Sequence, residues 1–120
     1  MAERKLLLVD DNAAFRRLLA EFLRRRGYDV GEAEDGNDAL RAIEAARPGL
    51  VVSDCQMPGM TGPQLVHELS QSDPNLPVIL ISGEYESEQS GAIAFFAKTN
   101  SMEYLADRVD QIWKSIAGES

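Results

Sequence analysis

With 120 residues, 44% of them hydrophobic, the chain has room for one domain (residues 1–120) and one core, and is too apolar for disorder. Twelve basic against twenty acidic side chains leave a formal charge of −8, which argues against a nucleic-acid surface, since phosphate contacts need clustered Lys and Arg. A single cysteine, Cys55, rules out an internal disulfide, and the first apolar run, Leu6 to Val9, is far too short for a signal peptide or a membrane span, so a cytoplasmic domain, complete or cut from something larger, is expected.

That run, Leu6-Leu7-Leu8-Val9 with Lys5 before it, has the pattern of a strand covered on both faces. Asp10, Asp11 and Asn12 interrupt it, and any of the three suits the cap of a following helix. Phe15, Leu18, Leu19, Phe22 and Leu23 then recur at helical spacing until Gly27. The arginines of this helix (Arg16, Arg17, Arg24, Arg25 and Arg26) read as a solvated face. Tyr28 to Ala33 is a half-covered second strand. Gly36-Asn37 opens a second helix on Ala39, Leu40 and Ile43, stopped by Pro48-Gly49.

Leu50 to Ser53 is a third strand, ending at the carboxylate of Asp54 just where Pro58, Gly59 and Gly62 stop regular structure. Leu65, Val66 and Leu69 mark a third helix, with His67 on its other side and Asp73-Pro74-Asn75 closing it. Val78 to Ile81 is a fourth strand, ending at Ser82-Gly83. The stretch Glu84 to Gly91 holds Tyr85 as its one large apolar side chain, so a loop or a single irregular turn is expected there. Ala92 to Ala97 is a fifth strand running into Lys98. Asn100 with Glu103 suggests a reciprocal N-cap for a last helix on Met102, Leu105, Val109, Ile112, Trp113 and Ile116. Strands alternating with helices predict an α/β fold: one doubly wound, five-stranded parallel sheet with helices on both faces.

In such a sheet the carboxyl ends of the strands share one edge, where ligands bind. Asp10, Asp11, Asp54, Ser82 and Lys98 all stand there. Each alone has a plainer explanation: Asp10, Asp11 and Asp54 as turn or helix caps, Ser82-Gly83 as a turn, Lys98 as a snorkelling surface lysine. Together they are three mutually repelling carboxylates, a hydroxyl and an ammonium. That set suits Mg²⁺ or Mn²⁺ and a phosphoryl group, with Asp54 as the central nucleophile.

At these residues the chain resembles the receiver domains of two-component response regulators, and the resemblance spans essentially all of it. Asp10 and Asp11 match the family's acidic pair, Asp54 its phosphoacceptor, and Met57, Pro58 and Gly62 the loop that follows. Ser82 matches the switch hydroxyl, Lys98 the phosphate-binding lysine, and Phe95 the switch aromatic. The resemblance implies a flavodoxin-like receiver in which Asp11, Asp54 and the Gln56 backbone carbonyl hold the cation, Asp10 acts through water, and the Cys55 and Gly83 N–H groups face the phosphoryl oxygens. It implies a histidine kinase or histidine phosphotransfer protein as donor, a possible output domain or effector, and no chemistry beyond self-phosphorylation and autodephosphorylation. Phe15 would lie on the donor-docking patch by resemblance, or else in the core stripe of its helix.

Two departures stand out. Thr99 follows Lys98 where the family usually has a proline after a cis bond, and Ser82 and Lys98 are closer than usual by more than a helical turn. The fourth helix is therefore expected to be shortened or absent, and the family's usual output face incomplete. A phosphorylation-independent interaction domain on the same fold is the alternative reading. A Mg²⁺-dependent phosphohydrolase is disfavoured for want of a second acid–base side chain near Asp54.

Overall fold

The computed structural model describes residues 4–83 and 91–118. β1 (Lys5–Val9) lies near the middle of a five-stranded parallel sheet whose order is β2-β1-β3-β4-β5. It is flanked by β2 (Asp29–Ala33) on one side and β3 (Leu50–Asp54) on the other, with β4 (Val78–Ser82) and β5 (Ala94–Ala97) beyond. β3 and β4 are buried along their whole length. That is why these two read as unbroken apolar runs rather than alternating ones.

The strand period of two divides the core. Leu6 and Leu8 face one way, with Val52, Ile79 and Ile81, under α1 (Ala13–Arg24) and α4 (Met102–Ala117). Leu7 and Val9 face the other way, with Val51, Val78 and Leu80, under α2 (Gly36–Ala45) and α3 (Gly62–Ser72). The expected doubly wound sheet is thus present. The segment Glu84–Gly91, for which a loop in place of the usual fourth helix is expected, falls outside the described residues except for Gly91.

Several local expectations change. Leu18 and Ile116 fit their helical stripes by spacing but are 44% and 47% exposed, because each stripe is wider than the surface facing it. β5 begins at Ala94 rather than Ala92. The cap of α4 is Ser101, whose side chain accepts the Tyr104 N–H at 3.1 Å. Asn100 instead closes the preceding turn, its side-chain amide donating to the Ala97 carbonyl at 2.9 Å. At α3 the motif Thr61-x-x-Gln64 forms a capping box, with both reciprocal hydrogen bonds present. Nor do the arginines form one solvated face. Arg16 is largely buried, donating to Glu32 at 3.0 Å and to the Asp10 carbonyl at 2.7 Å.

Candidate functional site

Strand ends build the site. β1 stops at Val9 and hands on to Asp10 and Asp11, and β3 ends on Asp54. Asp10 is 4% exposed and Asp54 7%, while Asp11 is exposed at the rim. The three side chains offer carboxylate oxygens that lie within 4.8 Å of one another. Asn12 caps α1, accepting the Phe15 N–H at 3.1 Å, while Asp10 Oδ1 accepts the Asn12 N–H at 2.8 Å. A tight turn thereby aims both acids at the strand end.

Lys98 enters from β5. Its N–H donates to the Ser82 carbonyl at 2.7 Å, continuing the β4–β5 ladder one residue beyond Ala97. Its ammonium lies 2.8 Å from Asp10 Oδ2 and 3.4 Å from Asp54 Oδ2. No cis peptide occurs among the described residues, so Lys98 reaches the acids through a trans bond to Thr99. The Asn100 side chain on Ala97 holds that turn.

Electrostatics follow from this packing. Burial pushes the Asp54 carboxyl above its ordinary range and the Asp10 charge adds to the rise, while Lys98 and the Gln56 N–H pull it back only in part. Burial works against the Lys98 charge, but the hydrogen bond and charge of Asp10, with Asp54 behind, outweigh it and leave the ammonium more basic than usual. The Lys98 ammonium reaches two of the three carboxylates, Asp10 and Asp54. A hard, oxygen-seeking cation fits this donor set, which contains no sulfur or imidazole ligand.

The remaining residues divide. Ser82 is buried at the end of β4, level with Ala97 and one residue beyond the Ile81 that pairs with Asp54. Gly83 follows on the exposed rim. Phe95 is half-buried against the α2–α3 side of the core. The Cys55 N–H, expected as a donor to phosphoryl oxygens, instead donates to the Ile81 carbonyl at 3.0 Å, because β3–β4 pairing runs one residue past Asp54. It is the next N–H, that of Gln56, which bonds toward the Asp54 carboxylate. His67 is exposed on α3. Gly62 packs so closely behind Asp54 that a Cβ there would lie 2.5 Å from the Asp54 carbonyl oxygen. Gly62, expected as a loop residue, is instead the first residue of α3.

The sequence model for the response regulator receiver domain matches residues 6–110. The chain belongs to that family. Among similar proteins, sporulation initiation phosphotransferase F of Bacillus subtilis is 35% identical over 91% of this chain and 93% of its own length. The C4-dicarboxylate transport transcriptional regulatory protein DctD of Rhizobium meliloti is 33% identical over 88% of this chain but only 24% of its own length, so this receiver domain corresponds to one part of that protein. Among solved structures, the response regulator protein TrrA from Thermotoga maritima, in complex with Mg(2+)-BeF, is 29% identical with a TM-score of 0.83, covering 91% of this chain and 98% of its own. Receiver domains are signalling domains rather than enzymes in the ordinary sense. No described helix of this one is long and apolar enough to cross a membrane.

Proposed function

We propose that Asp54 is the phosphoacceptor of a two-component phosphorelay, loaded by a histidine kinase or a histidine phosphotransfer protein, in a single cytoplasmic receiver domain spanning residues 1–120. The Lys98 ammonium, poised between Asp10 and Asp54, is the observation that supports this most. One oxygen of the Asp54 carboxylate attacks phosphorus. The bond from phosphorus to the donor imidazole nitrogen breaks, its electron pair stays on the imidazole, and Asp54 becomes an acyl phosphate. Lys98 meets the charge on the transferring oxygens, and burial of Asp54 lowers the local dielectric in which it does so.

Asp11, Asp54 and the Gln56 backbone carbonyl would hold Mg²⁺ or Mn²⁺, with Asp10 acting through water, as TrrA is found with Mg(2+)-BeF. That cation, when bound, neutralises charge on the phosphoryl oxygens. After transfer, the Ser82 hydroxyl turns to the new oxygens with the Gly83 N–H beside it, and Phe95 follows inward, changing the surface that an effector or output domain reads. Water later removes the phosphoryl group, so the chemistry stays confined to self-phosphorylation and its reversal.

Incubation with Mg²⁺ and acetyl phosphate followed by intact-mass measurement tests this. Wild type should gain one phosphoryl group and Asp54→Asn none, with an unchanged circular dichroism spectrum. Labelling of Asp54→Asn at the wild-type rate would overturn the assignment.

A further inference from the structure

We infer that Phe15 is a positioning residue for Lys98, its ring face holding the ammonium in place over the carboxylates. This role presupposes that Asp54 accepts phosphate, as proposed above. The Lys98 Nζ lies over the Phe15 ring, 4.4 Å from its centroid, while it also touches Asp10 and Asp54. Phe15 stands in the first turn of α1, where the Asn12 cap fixes its backbone N–H. Its half-buried ring packs on the core between the sheet and α1. With Val9, Asp10, Val52 and Asp54 it also lines a cavity of about 10 Å³ at the foot of the site, room for about one water. The ring is therefore backed by the core on one side and borders the site on the other.

An aromatic partner does something here that a third carboxylate would not. A lysine is a point charge on four rotatable methylenes, and its backbone hydrogen bond to Ser82 fixes the chain but not the charged end. A ring face attracts the cation through its quadrupole without accepting any of the three N–H bonds. It adds no negative charge to repel an incoming phosphoryl group. Two of those bonds already go to Asp10 and Asp54, so the ring leaves the remaining N–H direction available for a phosphoryl oxygen and shields one side of the ammonium from water. Neither of the roles anticipated for Phe15, core packing or a donor-docking patch, includes this contact.

The test compares rates of Asp54 labelling by acetyl phosphate with saturating Mg²⁺ in wild type, Phe15→Tyr and Phe15→Leu. Leucine keeps apolar bulk and loses the ring. Labelling should slow about fivefold in Phe15→Leu, the scale of one partly desolvated cation–π contact, and stay near wild type in Phe15→Tyr. In a Lys98→Met background Phe15→Leu should cause no further slowing. The Lys98 ε-methylene protons should be shifted upfield by the ring current in wild type and Phe15→Tyr, and lose that shift in Phe15→Leu. Equal rates for Phe15→Leu and Phe15→Tyr, or the same fivefold slowing without Lys98, would overturn the role and leave Phe15 a core residue. Absence of any labelling in wild type would overturn the phosphoacceptor reading and the role with it, whereas the ring-current shift reads the contact by itself.

Discussion

Tyr28 and Asp110 are far apart in sequence, yet the Tyr28 hydroxyl donates to the Asp110 carboxylate and ties the start of β2 to α4. Lys114 lies 3.1 Å from the same carboxylate and Arg4 3.8 Å. Partial burial pushes the Asp110 carboxyl up, but these three donors outweigh it and hold its pKa below the ordinary 3.8. A carboxylate with a depressed folded-state pKa contributes stability that is present above its unfolded pKa and is lost as pH falls through the folded value. Tyr28→Phe removes one of these three donors. It should cost about 1 kcal/mol at neutral pH, and the loss should shrink below pH 4, measured by urea denaturation across pH. A loss independent of pH would mean that the hydroxyl acts other than through the Asp110 charge, since phenylalanine keeps the ring that meets Trp113 edge-on at 5.6 Å.

Among the elements, caps and close approaches decide local geometry. Ser101→Ala should lower stability by about 1 kcal/mol by leaving an N-terminal N–H of α4 without its partner. Asn100→Ala should leave helix stability alone and loosen the turn that carries Lys98, seen as faster amide exchange there. Gly62→Ala forces a Cβ against the Asp54 carbonyl oxygen and should cost roughly 2–3 kcal/mol in thermal or urea unfolding. These elements also mark what was legible beforehand. β1, β3 and β4 announced themselves as apolar runs, and the helices by their period, because burial on one or two faces writes directly into residue type. Asp54 and Lys98 were legible because a parallel sheet sends every strand end to one edge. Which N–H bonds to which oxygen was not, as with Cys55, since that depends on how far pairing runs past a strand's last residue. Nor was the Phe15 ring under Lys98, because the tilt of α1 against the sheet is a tertiary quantity. Leu18 and Arg16 failed for the same reason: spacing places a residue on a helix, and only the neighbouring element decides whether that side is covered.

For the whole molecule, three carboxylates and one ammonium at one sheet edge leave unrelieved repulsion in the folded state, and extension on unfolding relaxes it. A cation bound only by the folded chain should therefore stabilise the domain globally. With Mg²⁺ at 100 times its Kd the gain is about 2.7 kcal/mol, roughly a 10 °C rise in Tm for a domain of this size. Asp11→Ala should abolish that rise and, by relieving part of the repulsion, leave the metal-free Tm at or above that of wild type, since its exposed side chain is not part of the buried core. An undiminished response to Mg²⁺ in Asp11→Ala would place the cation elsewhere. EDTA should return wild type to the metal-free melting curve.

The close approach of Gly62 has a consequence for how this surface can vary. Its N–H donates to the Cys55 carbonyl at 2.8 Å, so the chain between them leaves and re-enters the fold through a pinched neck. Met57 is anchored inside, but Pro58 and Gly59 stand exposed at the tip, with Gly59 at φ +79°. Lengthening a loop at its tip costs only about 0.6 kcal/mol per doubling, provided the neck is kept. Residues grafted between Pro58 and Gly59 would thus extend outward from the rim beside Asp54 and leave the carboxylate where the neck holds it. New specificity can be added at this mouth by insertion, without any substitution among the groups that do the chemistry.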